Sequence, residues 1–250
     1  MILPNTINRY NEITASIEVL RRRMVYAKTS DFDWRKIQAK CNDLVKIDPA
    51  DGWTLLGYAH ALTCNVTEVK RCLANAEALG LEFEDLMNAT NALICIGSFK
   101  DALELLKRNL FKFDSQVSQT LAGAYLVGGF SIARELMVKG RKMNIELPPE
   151  EVEIDLGCQV AEKYGITDEL INGHLELAGI VLREFNTVGR CKYDVKDIPG
   201  VISGITVSIG VKKTMDEIFE MNTMLARIED ELNFSTSPFL DVAFSYLKIE

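Results

Sequence analysis

Apolar residues recur every three or four positions over the first 186 residues and every second position in three stretches of the remainder, so two kinds of element are predicted. Ile7, Tyr10, Ile13, Ile17, Leu20 and Met24 form one helical stripe behind Thr6, a candidate N-cap. Trp34, Ile37, Cys41 and Leu44 form a second, capped by Ser30 or Asp31 and ended by Asp48-Pro49. Two prolines, Pro148 and Pro149, suit the first turn of a helix with Val152, Leu156, Val160 and Ala161 on one side. After Gly165, the residues Leu170, Ile171, His174, Leu175, Ala178, Val181 and Leu182 supply its antiparallel partner.

Beyond Asn186 the period changes to two. Cys191 to Val195 and Ile205 to Val211 alternate apolar with polar and are predicted to form a hairpin, with Pro199-Gly200 between them. Thr214 and Glu217 make a capping-box pair ahead of Ile218, Met221, Leu225, Ile228 and Leu232, a regular helix. Leu240 to Tyr246 alternates again as a last strand. A β-β-α-β module follows over residues 187–250, its helix laid on Val207, Ile209, Val242 and Phe244, with Thr206, Ser208, Asp241 and Ser245 on a polar outer face. Met215 and Met224 widen the stripe of that helix beyond what three short strands can cover. The expectation is therefore a homodimer through residues 191–250, with docking on the last helical hairpin as the alternative.

Within the helical part, Gly97-Ser98-Phe99-Lys100-Asp101-Ala102 returns as Gly128-Gly129-Phe130-Ser131-Ile132-Ala133, and Leu106 is answered by Met137. Trp53, Leu56, Gly57, Leu73 and Ala76 lie at the offsets of a tetratricopeptide repeat, in which a small residue lets two helices approach and an aromatic fills the gap; His60 stands where that repeat usually has tyrosine. The chain thus resembles the tetratricopeptide-like helical-repeat superfamily over residues 1–186, while neither later unit keeps the tryptophan or the terminal proline. The fold expected is mainly α, a right-handed array of antiparallel helical hairpins, followed by the small α+β tail. What the resemblance implies is a concave groove lined by the first helix of each hairpin and used to hold a peptide or protein partner. Carried onto this sequence it places Thr54, Tyr58 and Leu62, then Met87, Asn91 and Ile94, then Ser118, Ala122 and Tyr125 towards that groove. Trp53 is expected deep between the helices of its hairpin.

Composition changes the picture only by exclusion. The 250 residues are 48% hydrophobic and 26% charged, ordinary for a globular chain, and the net charge of −8 opposes duplex nucleic acid unless basic residues gather locally. Arg21-Arg22-Arg23 and Lys212-Lys213 are the gathered ones, and short runs of that kind read as solvated helix faces. Six cysteines, Cys41, Cys64, Cys72, Cys95, Cys158 and Cys191, show no C-x-x-C spacing and are read as reduced core thiols; with only His60 and His174 beside them, no zinc-type spacing exists. Both histidines are read as core residues. Acidic clusters at Glu82 to Asp85 and Glu150 to Glu153 fit helix N-termini. No membrane span, phosphate loop or nucleophile-base pair can be read, so no cofactor, metal or catalytic residue is expected, and the cytoplasm is the expected compartment. The function expected is non-catalytic protein binding. A regulator whose tail senses a ligand or nucleic acid, and an enzyme with a site between the two parts, are the other classes.

Overall fold

A computed structural model describes residues 4–109, 112–113 and 116–247. Its elements are α1 (Pro4–Arg21), α2 (Phe32–Val45), α3 (Pro49–Ala61), α4 (Val66–Leu79), α5 (Phe83–Cys95), α6 (Phe99–Asn109), α7 (Val117–Leu126), α8 (Phe130–Lys142), α9 (Glu151–Lys163), α10 (Asp168–Glu184), β1 (Arg190–Ile198), β2 (Ile202–Val211), α11 (Met215–Glu231) and β3 (Leu240–Tyr246). The described chain is mainly helical, helices contact their neighbours, and one small sheet closes the C-terminal end. Among the described residues no helix is long and apolar enough to cross a membrane.

Four helix-ending turns are built in the same way, and the turn explains the internal repeat. After α3, α5, α7 and α9 a residue in the left-handed region follows the last turn: Cys64 (φ 54°), Gly97 (φ 68°), Gly128 (φ 76°) and Gly165 (φ 64°). The next amide then donates back five residues, Asn65 to His60, Ser98 to Leu93, Gly129 to Ala124 and Ile166 to Ala161, at 2.8 to 3.1 Å. This Schellman closure satisfies orphan carbonyls at a helix end, and glycine enters the left-handed region without the Cβ penalty. The recurring Gly-x-Phe is thus a turn followed by a core anchor, since Phe99 and Phe130 are both buried.

Contacts cluster the chain into two compact units. The first holds residues 1–98 and the returning segment 186–188; the second holds 99–185 and 189–250. In the first unit, α1 to α5 stack through Ile13, Ile17, Leu44, Leu55, Leu86 and Ile96. Asp31 caps α2 by accepting the amides of Asp33 and Trp34. Thr6, expected as a cap, lies within α1. The segment 186–188 lies antiparallel against Val25, and Val188 N–H and Thr187 Oγ1 both donate to the Met24 carbonyl, at 3.1 and 2.9 Å.

The expected role of Trp53 passes to Trp34. Trp53 is half-buried, with the Arg71 guanidinium 5.2 Å above its ring. Trp34 is 5% exposed, meets the His60 ring edge-on, and donates from Nε1 to the Ala59 carbonyl at 2.7 Å. The small residue of the repeat behaves as expected, because a Cβ on Gly57 would stand 3.0 Å from Leu73 and 3.3 Å from Cys72 Cβ of the facing helix α4.

In the second unit the sheet order is β1-β2-β3, with β1 and β2 antiparallel and β2 and β3 parallel across α11. The hairpin and the β-β-α-β order are as expected from the alternation, and the parallel pairing of β3 with β2 is what the structure adds. Tyr193, Ile205, Val207, Ile209 and Phe244 are buried on the inner face, while Lys192, Asp194, Thr206, Ser208 and Asp241 lie on the other. Helix α11 keeps the capping box of Thr214 and Glu217 and buries Ile218, Met221 and Leu225. It packs on α10 and β3 of its own chain: Phe234, just beyond α11, fills the space left by Gly173, and His174 Nδ1 lies 2.6 Å from Glu229 Oε1. His174 is therefore buried, as expected, but has an ionisable partner 55 residues away. The buried part of the stripe that suggested a two-fold contact is covered inside the chain, and Met215 and Leu232 stay exposed. On α9 the inward side is Ile154, Gly157, Cys158 and Ala161, leaving Val152 in solvent, and the two prolines form a turn before the helix rather than its first turn.

Candidate functional site

Of the nine residues aligned to a repeat groove, four are buried and five are half-buried. Thr54, Tyr58 and Leu62 are buried: Thr54 Oγ1 donates to the Ala50 carbonyl at 3.0 Å, and Tyr58 Oη donates to Glu18 at 2.9 Å. Their side chains are packed inside the first unit, where the resemblance had them facing a groove. Tyr125 is buried too, with its ring 4.6 Å from Tyr193 and 5.1 Å from Phe130. Met87, Asn91 and Ile94 on α5, and Ser118 and Ala122 on α7, are half-buried. The register placed the helices in pairs, but how many neighbours cover each helix depends on tertiary stacking.

The open concavity lies elsewhere in the second unit. The outer side of α8, the facing side of α9 and the start of α10 enclose about 890 Å³. Its floor is Phe130, Leu136, Cys158, Ala161 and Ile166, and its outer lip carries Val138 and Met143, 45% and 46% exposed. Helix α8 has two apolar sides because Ile132, Ala133, Leu136 and Met137 face the core while Val138 extends the stripe outward. That extra position is the sequence signal the one-face reading missed.

Polar groups fix the ends of this groove. Asp168, buried at the start of α10, accepts the Ser131 amide at 2.9 Å and the Ser131 hydroxyl, so it supplies the cap that Gly129 cannot give α8. Arg134 is paired with Glu162 across the rim, and Lys139 and Lys142 continue the basic edge along the last turn of α8. The Cys158 thiol donates to the Phe130 carbonyl at 3.2 Å, and burial pushes it up to about 12, so it is an apolar wall and not a nucleophile. The concavity thus combines an apolar floor with a charged rim, to which Glu135, Glu162 and Glu169 also contribute.

In the first unit the acidic residues are more than helix caps. Asp85, 1% exposed, accepts from Tyr10 Oη at 3.3 Å, and Asn88 Nδ2 donates to the same Tyr10 oxygen at 2.6 Å. Asp51 is the neighbouring carboxyl, and burial, with the Asp85 and Asp48 charges, pushes it up to about 8. Burial raises Asp85 as well, which favours a proton on the pair, and Tyr10 ties α1 to α5. A cavity of about 210 Å³ lies beside it. Reading Glu82 to Asp85 as solvated caps fits Glu82 and Glu84, which are exposed, and fails for Asp85.

Basic clusters are paired with acids: Arg21 binds Glu18, Arg23 binds Asp31 and Asp33, and Lys213 binds Glu217. The six cysteines are free thiols. Among the described residues, His60, Glu68 and Cys72 come together as a set of metal-capable side chains. No family model, no curated protein and no solved structure matches this chain.

Proposed function

We propose that this chain is a non-catalytic binding protein of the tetratricopeptide-like kind, and that the groove of α8, α9 and the start of α10 holds an apolar segment of a partner protein. The observation that carries this reading is the pairing of a buried apolar floor with exposed Val138 and Met143 on the lip. Large apolar side chains gathered around one concavity mark an interaction surface, and methionine suits an adaptable one. The volume of about 890 Å³ would also accept a small ligand, but such a ligand would leave the lip in water.

Substitution of the lip tests it. Val138→Asp with Met143→Asp is expected to abolish recovery of the partner from native cells while the circular dichroism melt stays within about 0.5 kcal/mol of the parent, the ordinary range for surface changes. Undiminished recovery with both aspartates present removes the groove from consideration.

A further inference from the structure

We propose that His60, Glu68 and Cys72 bind one divalent transition-metal ion of the zinc class, with the fourth coordination position left to water or another donor. The ligand atoms of the three residues lie within 4.8 Å of one another. Zinc bonds of about 2.0 to 2.3 Å arranged tetrahedrally place donors roughly 3.5 Å apart, so small side-chain rotations close the site.

The fold builds this site on both sides of one hairpin turn. Glu68 and Cys72 are one turn apart on the same side of α4, and His60 comes from the last turn of α3. The turn between them is fixed by the Asn65 amide, which donates to the His60 carbonyl at 3.1 Å, and by the Asn65 side chain, which accepts from the Glu68 amide at 3.2 Å. Gly57, one turn before His60, brings the helices close enough for the donors to converge.

Each donor carries a free coordination atom. His60 is 8% exposed and its Nδ1 is buried with no hydrogen-bond partner among the described residues, an arrangement that buried polar atoms avoid. Glu68 receives both Arg71 N–H groups on Oε2, at 3.1 and 2.7 Å, and no hydrogen bond among the described residues reaches Oε1. Arg71 is itself held over Trp53, so it orients the carboxylate as outer-shell groups do around metals. The Cys95 and Cys158 thiols donate to backbone carbonyls, whereas the fully buried Cys72 thiol makes no such bond among the described residues. A set of one imidazole, one carboxylate and one thiolate suits zinc or cobalt and not calcium or magnesium, and its two anionic donors balance the ion's charge. Thiolate formation releases the Cys72 proton to solvent as the metal–sulfur bond forms.

Cobalt(II) titration of the full chain tests the site by absorbance. The expected result is a sulfur-to-cobalt charge-transfer band saturating at one ion per chain, displaced by zinc, lost in Cys72→Ser and retained in Cys64→Ser, a thiol outside the set. Zinc is expected to raise the melting temperature of the parent and not of Glu68→Gln. If Cys72→Ser does not fold, Glu68→Gln, altered at a partly exposed side chain, decides: a sulfur band at parental affinity in that variant overturns the assignment. So does absence of the band in the parent, or a band that survives in folded Cys72→Ser.

Discussion

Helix α3 touches α1, α2, α4 and α5 and buries every residue from Gly52 to Ala61 except Trp53, whereas α8 packs on α7 and α9 and keeps Val138, with Met143 just beyond its end, in solvent. Both belong to hairpins with the same Schellman turn, and both carry an aromatic near the start. The difference is therefore one of coverage, not of local structure. A repeat register says which helices pair; it does not say which face the other helices leave open.

The largest effect that would break this comparison comes from removing the tail. Deletion of residues 187–250 strips Tyr193 from Tyr125 and Phe130, with ring separations of 4.6 and 5.6 Å, uncovers α10, and takes away the strand that bonds Met24. The truncated chain is expected to lose cooperative melting and to aggregate in light scattering. A monodisperse, sharply melting product would show that α6 to α10 are stable without the sheet, as a separable tail module requires.

The two tryptophans sharpen the contrast within α2 and α3. Trp34→Ala is expected to cost about 3 to 5 kcal/mol in urea unfolding, the usual cost of emptying an aromatic core site. Trp53→Ala should cost about 1 kcal/mol, on the scale of a part-exposed cation–π contact. Reversed magnitudes would restore Trp53 as the anchor of the repeat.

A smaller effect follows the Asp51 and Asp85 pair. With Asp51 raised to about 8 in the fold and near 3.9 when unfolded, the native state keeps a proton that the unfolded chain has released between those values. This contribution is fully present below about pH 4 and is lost as pH rises towards 8. Asp51→Asn should flatten that slope and make the variant relatively more stable at pH 8 than at pH 5, read from urea midpoints at each pH. A slope unchanged by the substitution would place the proton elsewhere.

What the sequence carried well was local. Gly97 and Gly128 mark turns because a Schellman closure involves six neighbouring residues, and the strands from Arg190 to Val211 are legible because period two is a property of consecutive side chains. The capping box at Thr214 is local in the same way. Long-range placement was not legible: Trp34 becomes core only because α3 stacks beside it, and Asp85 looks like a first-turn carboxylate until Tyr10 arrives from 75 residues earlier. Glu229 lies 55 residues from His174, so the histidine seemed alone. His60, Glu68 and Cys72 match no zinc spacing in sequence, since their meeting depends on the angle between two helices. The groove left one local trace, the extra apolar position at Val138, which a single-stripe reading absorbs into the core.

The most direct measurement places a photo-crosslinking amino acid at Val138 in native cells, with the same residue at exposed Val152 on α9, outside the groove, as the reference. The account predicts a discrete crosslinked species from position 138, absent from position 152 and abolished by Met143→Asp. Equal crosslinking from both positions, or none from 138, would contradict a partner seated between α8 and α9.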